Sequence, residues 1–147
     1  MFRYAHTNLI AGDHRRLIEF YKTVFRCRSI GETRDLRGGW LDSLTGIPGA
    51  HIVGEHLCLP GYGEDHPTLE IFSYDGTLPS SPAVNRRGFS HLAFEVDDVE
   101  AVLKQVLAHG GSQIGELIRT RYPDGREAVF VYAADPEGNI LEIQSWA

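Results

Sequence analysis

The 147-residue sequence contains only two cysteines, Cys27 and Cys58, and a single methionine. Two thiols can pair only once, so a multi-disulfide scaffold is excluded. No export-type apolar stretch follows Met1-Phe2-Arg3-Tyr4, so the expectation is two reduced thiols in a cytoplasmic protein. No apolar run approaches the ~20 residues that span a bilayer. Basic charge is also short: 14 Lys and Arg stand against 20 Asp and Glu, a net charge of −6. That balance argues against a nucleic-acid partner and against an anionic membrane surface. The one convincing linker is the segment near residues 75–85, where Pro79 and Pro82 flank Ser80 and Ser81.

What is present is a phrase written twice. Gly88-Phe89-Ser90-His91-Leu92-Ala93-Phe94-Glu95-Val96 alternates as a half-buried strand, with Leu92, Phe94 and Val96 on the apolar face. Asp97 or Asp98 then caps a helix, with Glu100 at capping-box spacing from Asp97. Near the start, Tyr4-Ala5-His6-Thr7-Asn8-Leu9-Ile10 runs into Asp13 and another helix. His6 and His91 each stand seven residues before an aspartate, Asp13 and Asp98.

Both helices carry apolar stripes. In the first these are Leu17, Phe20, Tyr21 and Val24; in the second, Val99, Val102, Leu103, Val106 and Leu107. Strands are predicted for 27–34, 51–59 and 68–74, and then for 112–119, 128–133 and 140–146. Tyr122-Pro123-Asp124-Gly125 and Asp135-Pro136-Glu137-Gly138-Asn139 read as turns. Each copy is therefore strand–helix–strand–strand–strand. The first is longer by about a dozen residues, placed at 38–50, where a short helical turn is expected. The boundaries are a first module over 1–76, a linker over 77–87 and a second module over 88–147, making a single domain.

His6, Glu70, His91 and Glu142 each fall on the strand face opposite the aliphatic residues. Two imidazoles and two carboxylates suit Ni²⁺, Co²⁺, Mn²⁺, Fe²⁺ or Zn²⁺, and can leave positions open for water or substrate. Any one of these residues alone would read as a half-buried or solvated polar group. Their recurrence at matching places in two copies favours a metal site. His14, His51, His66 and His109 fall at helix or loop edges, and His56 lies in a strand without a counterpart in the second copy.

The His–Glu–His–Glu order in paired strand–helix–strand–strand–strand modules resembles the vicinal oxygen chelate superfamily. So do His6-Thr7 through Asp13, His91-Leu92-Ala93-Phe94 with Val96-Asp97, and Asp135-Pro136-Glu137-Gly138 before Glu142. That superfamily includes glyoxalase I, methylmalonyl-CoA epimerase, extradiol dioxygenases and the fosfomycin and bleomycin resistance proteins. The resemblance implies an α+β fold: two βαβββ modules forming a curved mixed sheet around a metal site, with helices on the outer face. It implies one divalent metal per chain on His6, Glu70, His91 and Glu142, a small-molecule substrate with adjacent oxygens, and a homodimer.

It also implies movement of a proton alpha to a carbonyl, with Glu142 as first candidate for the base. Glu70 in the fourth ligand position argues against dioxygenase chemistry. A non-catalytic, ligand-sequestering protein of the same fold is the alternative. Glu55 shares an apolar face with Val53, Leu57 and Leu59, five residues before Pro60. It is the candidate second base that would make the enzyme an epimerase and not a lyase; otherwise it is a rim glutamate meeting water. Arg119, Arg121 and Arg126 flank a turn, where they would greet an anion or serve as surface charges.

Overall fold

The computed structural model describes residues 1–63 and 67–147, so His66 lies outside the described residues. The chain divides into two compact units, Met1–Pro79 and Ser80–Ala147. The first contains β1 (His6–Ile10), α1 (His14–Phe25), β2 (Arg28–Arg37), α2 (Gly39–Thr45), β3 (His51–Cys58) and β4 (Thr68–Tyr74). The second contains β5 (His91–Glu95), α3 (Val99–Ala108), β6 (Ser112–Arg121), β7 (Glu127–Ala134) and β8 (Ile140–Trp146).

Each unit builds its own four-stranded sheet, in the order β1-β4-β3-β2 in the first and β5-β8-β7-β6 in the second. The pairs β1–β4 and β5–β8 are parallel and the rest antiparallel. This corrects the expectation of one curved sheet around a metal site. Two separate sheets form, each with a linear strand order, so neither is closed. The reason is local pairing: the returning strand of each copy is hydrogen-bonded by that copy's own first strand, and every ladder is completed within its unit.

Alternation along the strands puts Leu57, Leu69 and Ile71 on one face of the first sheet, all fully buried. Helix α1 covers that face, contributing the buried Leu17, Phe20, Tyr21, Val24 and Phe25. Asp13 caps it, accepting from the Arg16 amide at 3.1 Å. Its C-terminal turn ends on Arg26 in the left-handed region, at φ 58°. In the second unit, α3 packs on β6, β7 and β8 through Val99, Leu103 and Val106. Leu107, assigned to the stripe from sequence, is 46 % exposed. Asp98 provides the cap, accepting from the Ala101 amide at 2.9 Å. Glu100 therefore sits at the second helical position, outside capping-box spacing, and pairs with Arg119.

The insertion makes α2, which departs from the expected arrangement of helices on the outer face. Leu41 packs with Ala50, Ile52 and Phe72, and Leu36 and Tyr74 lie against this cluster. Cross-strand register puts Ile52, Phe72 and Tyr74 on the same sheet face as Glu70, so α2 covers the far end of that polar-bearing face. The Asp42 carboxylate ties the loop after α2, accepting from the Gly49 and Ala50 amides at 2.9 Å each. Among the described residues no helix is long and apolar enough to cross a membrane.

Candidate functional site

In the first unit, β1 runs parallel to β4 with His6 opposite Thr68 and Asn8 opposite Glu70. On the other side of β4, His56 lies directly opposite Glu70. Three side chains therefore converge on one carboxylate. His6 Nε2 is 3.5 Å from Glu70 Oε2, His56 Nδ1 is 3.3 Å from Oε1, and Asn8 Nδ2 donates to Oε2 at 3.2 Å. The Glu70 side chain is 12 % exposed, whereas that of His6 is 46 % exposed. Burial holds the His56 imidazole below its usual pKa; the Glu70 charge pulls it up, and Arg34 and His6 push it further down.

The second unit repeats the geometry with substitutions. His91 lies opposite Ile140, two residues before Glu142, as His6 lies opposite the residue two before Glu70. His91 Nε2 meets Glu142 Oε2 at 2.9 Å, and Ser90 Oγ lies 3.3 Å from His91 Nδ1. Ala93 stands where Asn8 stands in the first unit, and Tyr132 stands opposite Glu142 where His56 stands opposite Glu70. The Tyr132 ring packs edge-on against His91 at 5.2 Å. Glu142 also lines a pocket of about 340 Å³ within this unit.

Each sequence-predicted His–Glu pair is thus formed in its own unit. Two ligands bound at right angles, each about 2.1 Å from an ion, lie about 3.0 Å apart. The two pairs bracket that spacing, so imidazole and carboxylate in each fit half of a divalent-cation site. Among the described residues, no group of three or more His, Cys, Asp or Glu side chains is gathered to hold a metal ion.

Glu55 is placed elsewhere. It lies opposite Ile71, on the face that α1 covers, and Ser29 Oγ donates to its Oε2 at 2.6 Å. It does not share a face with Glu70. Arg119, Arg121 and Arg126 pair with Glu100, Glu127 and Asp124, so each guanidinium has an acidic neighbour. His56, Asn8 and Tyr132 are the neighbours that sequence reasoning missed. Alternation within β3 puts His56 on the polar face, but its meeting with Glu70 depends on cross-strand register.

Comparison with known proteins covers nearly the whole chain. A glyoxalase family protein from Bacillus cereus superposes with a TM-score of 0.83 at 17% identity, over 99% of this chain and 95% of its own. The trypanothione-dependent glyoxalase I of Leishmania major gives 0.65 at 20% identity, covering 99% and 87%. A genomically encoded fosfomycin resistance protein from Listeria monocytogenes, in complex with Mn(II) and sulfate, gives 0.58 at 14% identity, covering 99% and 93%. At these identities the likeness shows the fold. Comparison with curated protein sequences finds no match. The family model described as the glyoxalase/bleomycin resistance protein/dioxygenase superfamily matches residues 3–143, nearly the whole duplicated sequence, and the chain belongs to that superfamily.

Proposed function

We propose that the chain is a metal-dependent isomerase or lyase of the glyoxalase type, moving a proton on the carbon beside a carbonyl, with Glu142 as the base. His6 with Glu70 and His91 with Glu142 would hold one Ni, Co, Mn, Fe or Zn ion per chain. A four-ligand set requires both kinds of pair, because each supplies two donors. When bound, the divalent cation supplies Lewis-acid polarisation of two adjacent substrate oxygens.

The observation that carries the choice of base is the contrast between the two carboxylates. Glu70 is engaged by His6, His56 and Asn8. Three neighbours hold such a carboxylate in one position. Glu142 is met by His91 and lines the 340 Å³ pocket, which leaves room beside it for a substrate carbon. A base must reach the proton it takes, and geometry ranks before pKa in naming it. Glu142 takes the proton and returns it, His91 orients the carboxylate, and Glu70 serves as a ligand beside His6.

Epimerisation needs a second base on the opposite side of the carbon. Glu55, on the helix-covered face and bonded to Ser29, favours the one-base lyase reading. The test begins with metal content after loading, together with native mass to read the expected homodimer. Near-stoichiometric metal in the wild type and its loss in His91→Ala are expected. If the wild type stays metal-free under every loading condition, the reading fails. Deuterium uptake from heavy water is then followed with the glutathione hemithioacetal of methylglyoxal and with methylmalonyl-CoA. Glu142→Gln should slow exchange roughly a hundredfold on any substrate the wild type accepts. Glu55→Gln should leave a one-base reaction unchanged and slow only an epimerisation.

A further inference from the structure

The two units differ most beside their carboxylates, in what occupies the next stretch of the same face. In the first unit, Ile52, Phe72 and Tyr74 are covered by α2 through Leu41. The register that matches Glu70 with Glu142 matches Tyr74 with Trp146 and Gly54 with Phe130. The second unit has no helix between β6 and β7, and the corresponding place is the 340 Å³ pocket.

Its walls include Tyr122, Phe130, Tyr132 and Trp146, together with Glu116 and Glu142; no Lys or Arg is among the lining residues, although Arg126 lies against the Trp146 ring. The indole is the centre of the aromatic group. Tyr122 lies 5.4 Å from it at a shallow tilt, and Phe130 meets it edge-on at 6.1 Å. Trp146 Nε1 donates to Gln144 Oε1 at 3.0 Å, which fixes the ring's orientation. The ring meets one cation within the chain, the guanidinium of Arg126, whose carbon sits 5.1 Å from its centroid and which is itself paired with Asp124 at 2.8 Å.

Building on the function above, we propose that this pocket seats a flat organic cation, the non-reacting arm of the substrate on which Glu142 acts. Aromatic faces are negative at their centres and attract a cation once water is excluded. The two carboxylates add field of the same sign and repel an anionic ring. Where Glu142 serves the metal or the proton, Glu116 remains as the negative charge of the pocket. A place that α2 fills in one copy is left in the other as a cavity lined for a ligand.

The test is calorimetric titration of metal-free protein with N-methylquinolinium, neutral quinoline and a quinoline sulfonate. The cation should bind at least tenfold more tightly than the sulfonate. Glu116→Gln should weaken the cation roughly three- to thirtyfold and leave quinoline unchanged. Trp146→Leu should weaken both the cation and quinoline by a similar factor. Circular dichroism identifies folded variants, and Glu116→Gln carries the test by itself if Trp146→Leu does not fold. The proposal is overturned if the sulfonate binds as tightly as the cation, if no probe saturates below millimolar concentration, or if folded Glu116→Gln binds the cation as the wild type does. Binding is read without metal or turnover, so a failed pocket leaves the metal stoichiometry and the Glu142→Gln exchange to stand or fall separately.

Discussion

At the scale of single residues, burial decides what chemistry a side chain keeps. Cys27 and Cys58 are buried thiols. Burial pushes the Cys27 thiol up to about 12, with its backbone hydrogen bond pulling down and Cys58 adding slightly to the rise. Very little of Cys27 is then thiolate near neutral pH, and the thiolate is the reactive form. A thiol-specific disulfide reagent should therefore leave native Cys27 unlabelled over hours and label both cysteines in urea. Gly54 shows a different constraint. A Cβ there would stand 2.0 Å from the Ile71 carbonyl oxygen and 2.4 Å from the Phe72 ring. Gly54→Ala should cost about 1–3 kcal/mol in a denaturant titration, the usual scale for overpacking. A stability equal to wild type would show that the β3 and β4 backbones can part here, since the nearest atom is the Ile71 carbonyl oxygen.

At the scale of elements, caps and strand ends hold the units in register. Asp98 accepts the Ala101 amide at the start of α3, and Asp98→Ala should lower stability by about 1 kcal/mol. His51 ties three strand ends. Its Nε2 lies 2.7 Å from Asp35 Oδ1, at the end of β2, and its Nδ1 lies 2.9 Å from Asp75 Oδ1, just after β4. The hydrogen bond that His51 donates to Asp35 raises its pKa most and Asp75 adds to it, against partial desolvation and the nearby Arg37 charge. A raised folded-state pKa means that the protonated form stabilises. That contribution is complete below the unfolded value of about 6.5 and is lost as pH climbs through the folded one. The gap in melting temperature between wild type and His51→Gln should therefore be widest near pH 6 and shrink toward pH 9. A gap that grows with pH would contradict the arrangement. Sequence analysis set His51 aside as an edge residue, because Asp35 and Asp75 are 16 and 24 positions away in sequence.

At the scale of the whole molecule, two copies of one unit present two related but unequal faces. One carries a carboxylate fixed by three neighbours and a helix laid beside it. The other carries a carboxylate beside an aromatic pocket. A cation that binds only the folded chain raises stability by mass action, about 2.7 kcal/mol at a hundredfold excess over its dissociation constant. Metal loading should raise the melting temperature of the wild type and chelation should reverse it, whereas Glu70→Ala should respond to neither. An unchanged melting curve after verified metal removal would count against His6 and Glu70 as ligands.

Much of this is legible in the order of residues. Strand alternation at His91–Val96, the Asp13 and Asp98 caps and the matching His–Glu spacing are local, so they place His6, Glu70, His91 and Glu142 on polar strand faces before any strand is paired. The meeting of each pair follows from the parallel registers β1–β4 and β5–β8, which place each histidine opposite the residue two before its glutamate. Distant neighbours are another matter. His56 reaches Glu70, and Trp146 gathers Tyr122 and Phe130, only once antiparallel register is set, and a slip of one residue would reverse each face. The division into two sheets likewise depends on which strand edges find partners, a competition among backbone groups that are chemically alike in every strand. Side-chain pattern therefore fixes what each copy contains, while pairing between strands decides what its chemistry faces.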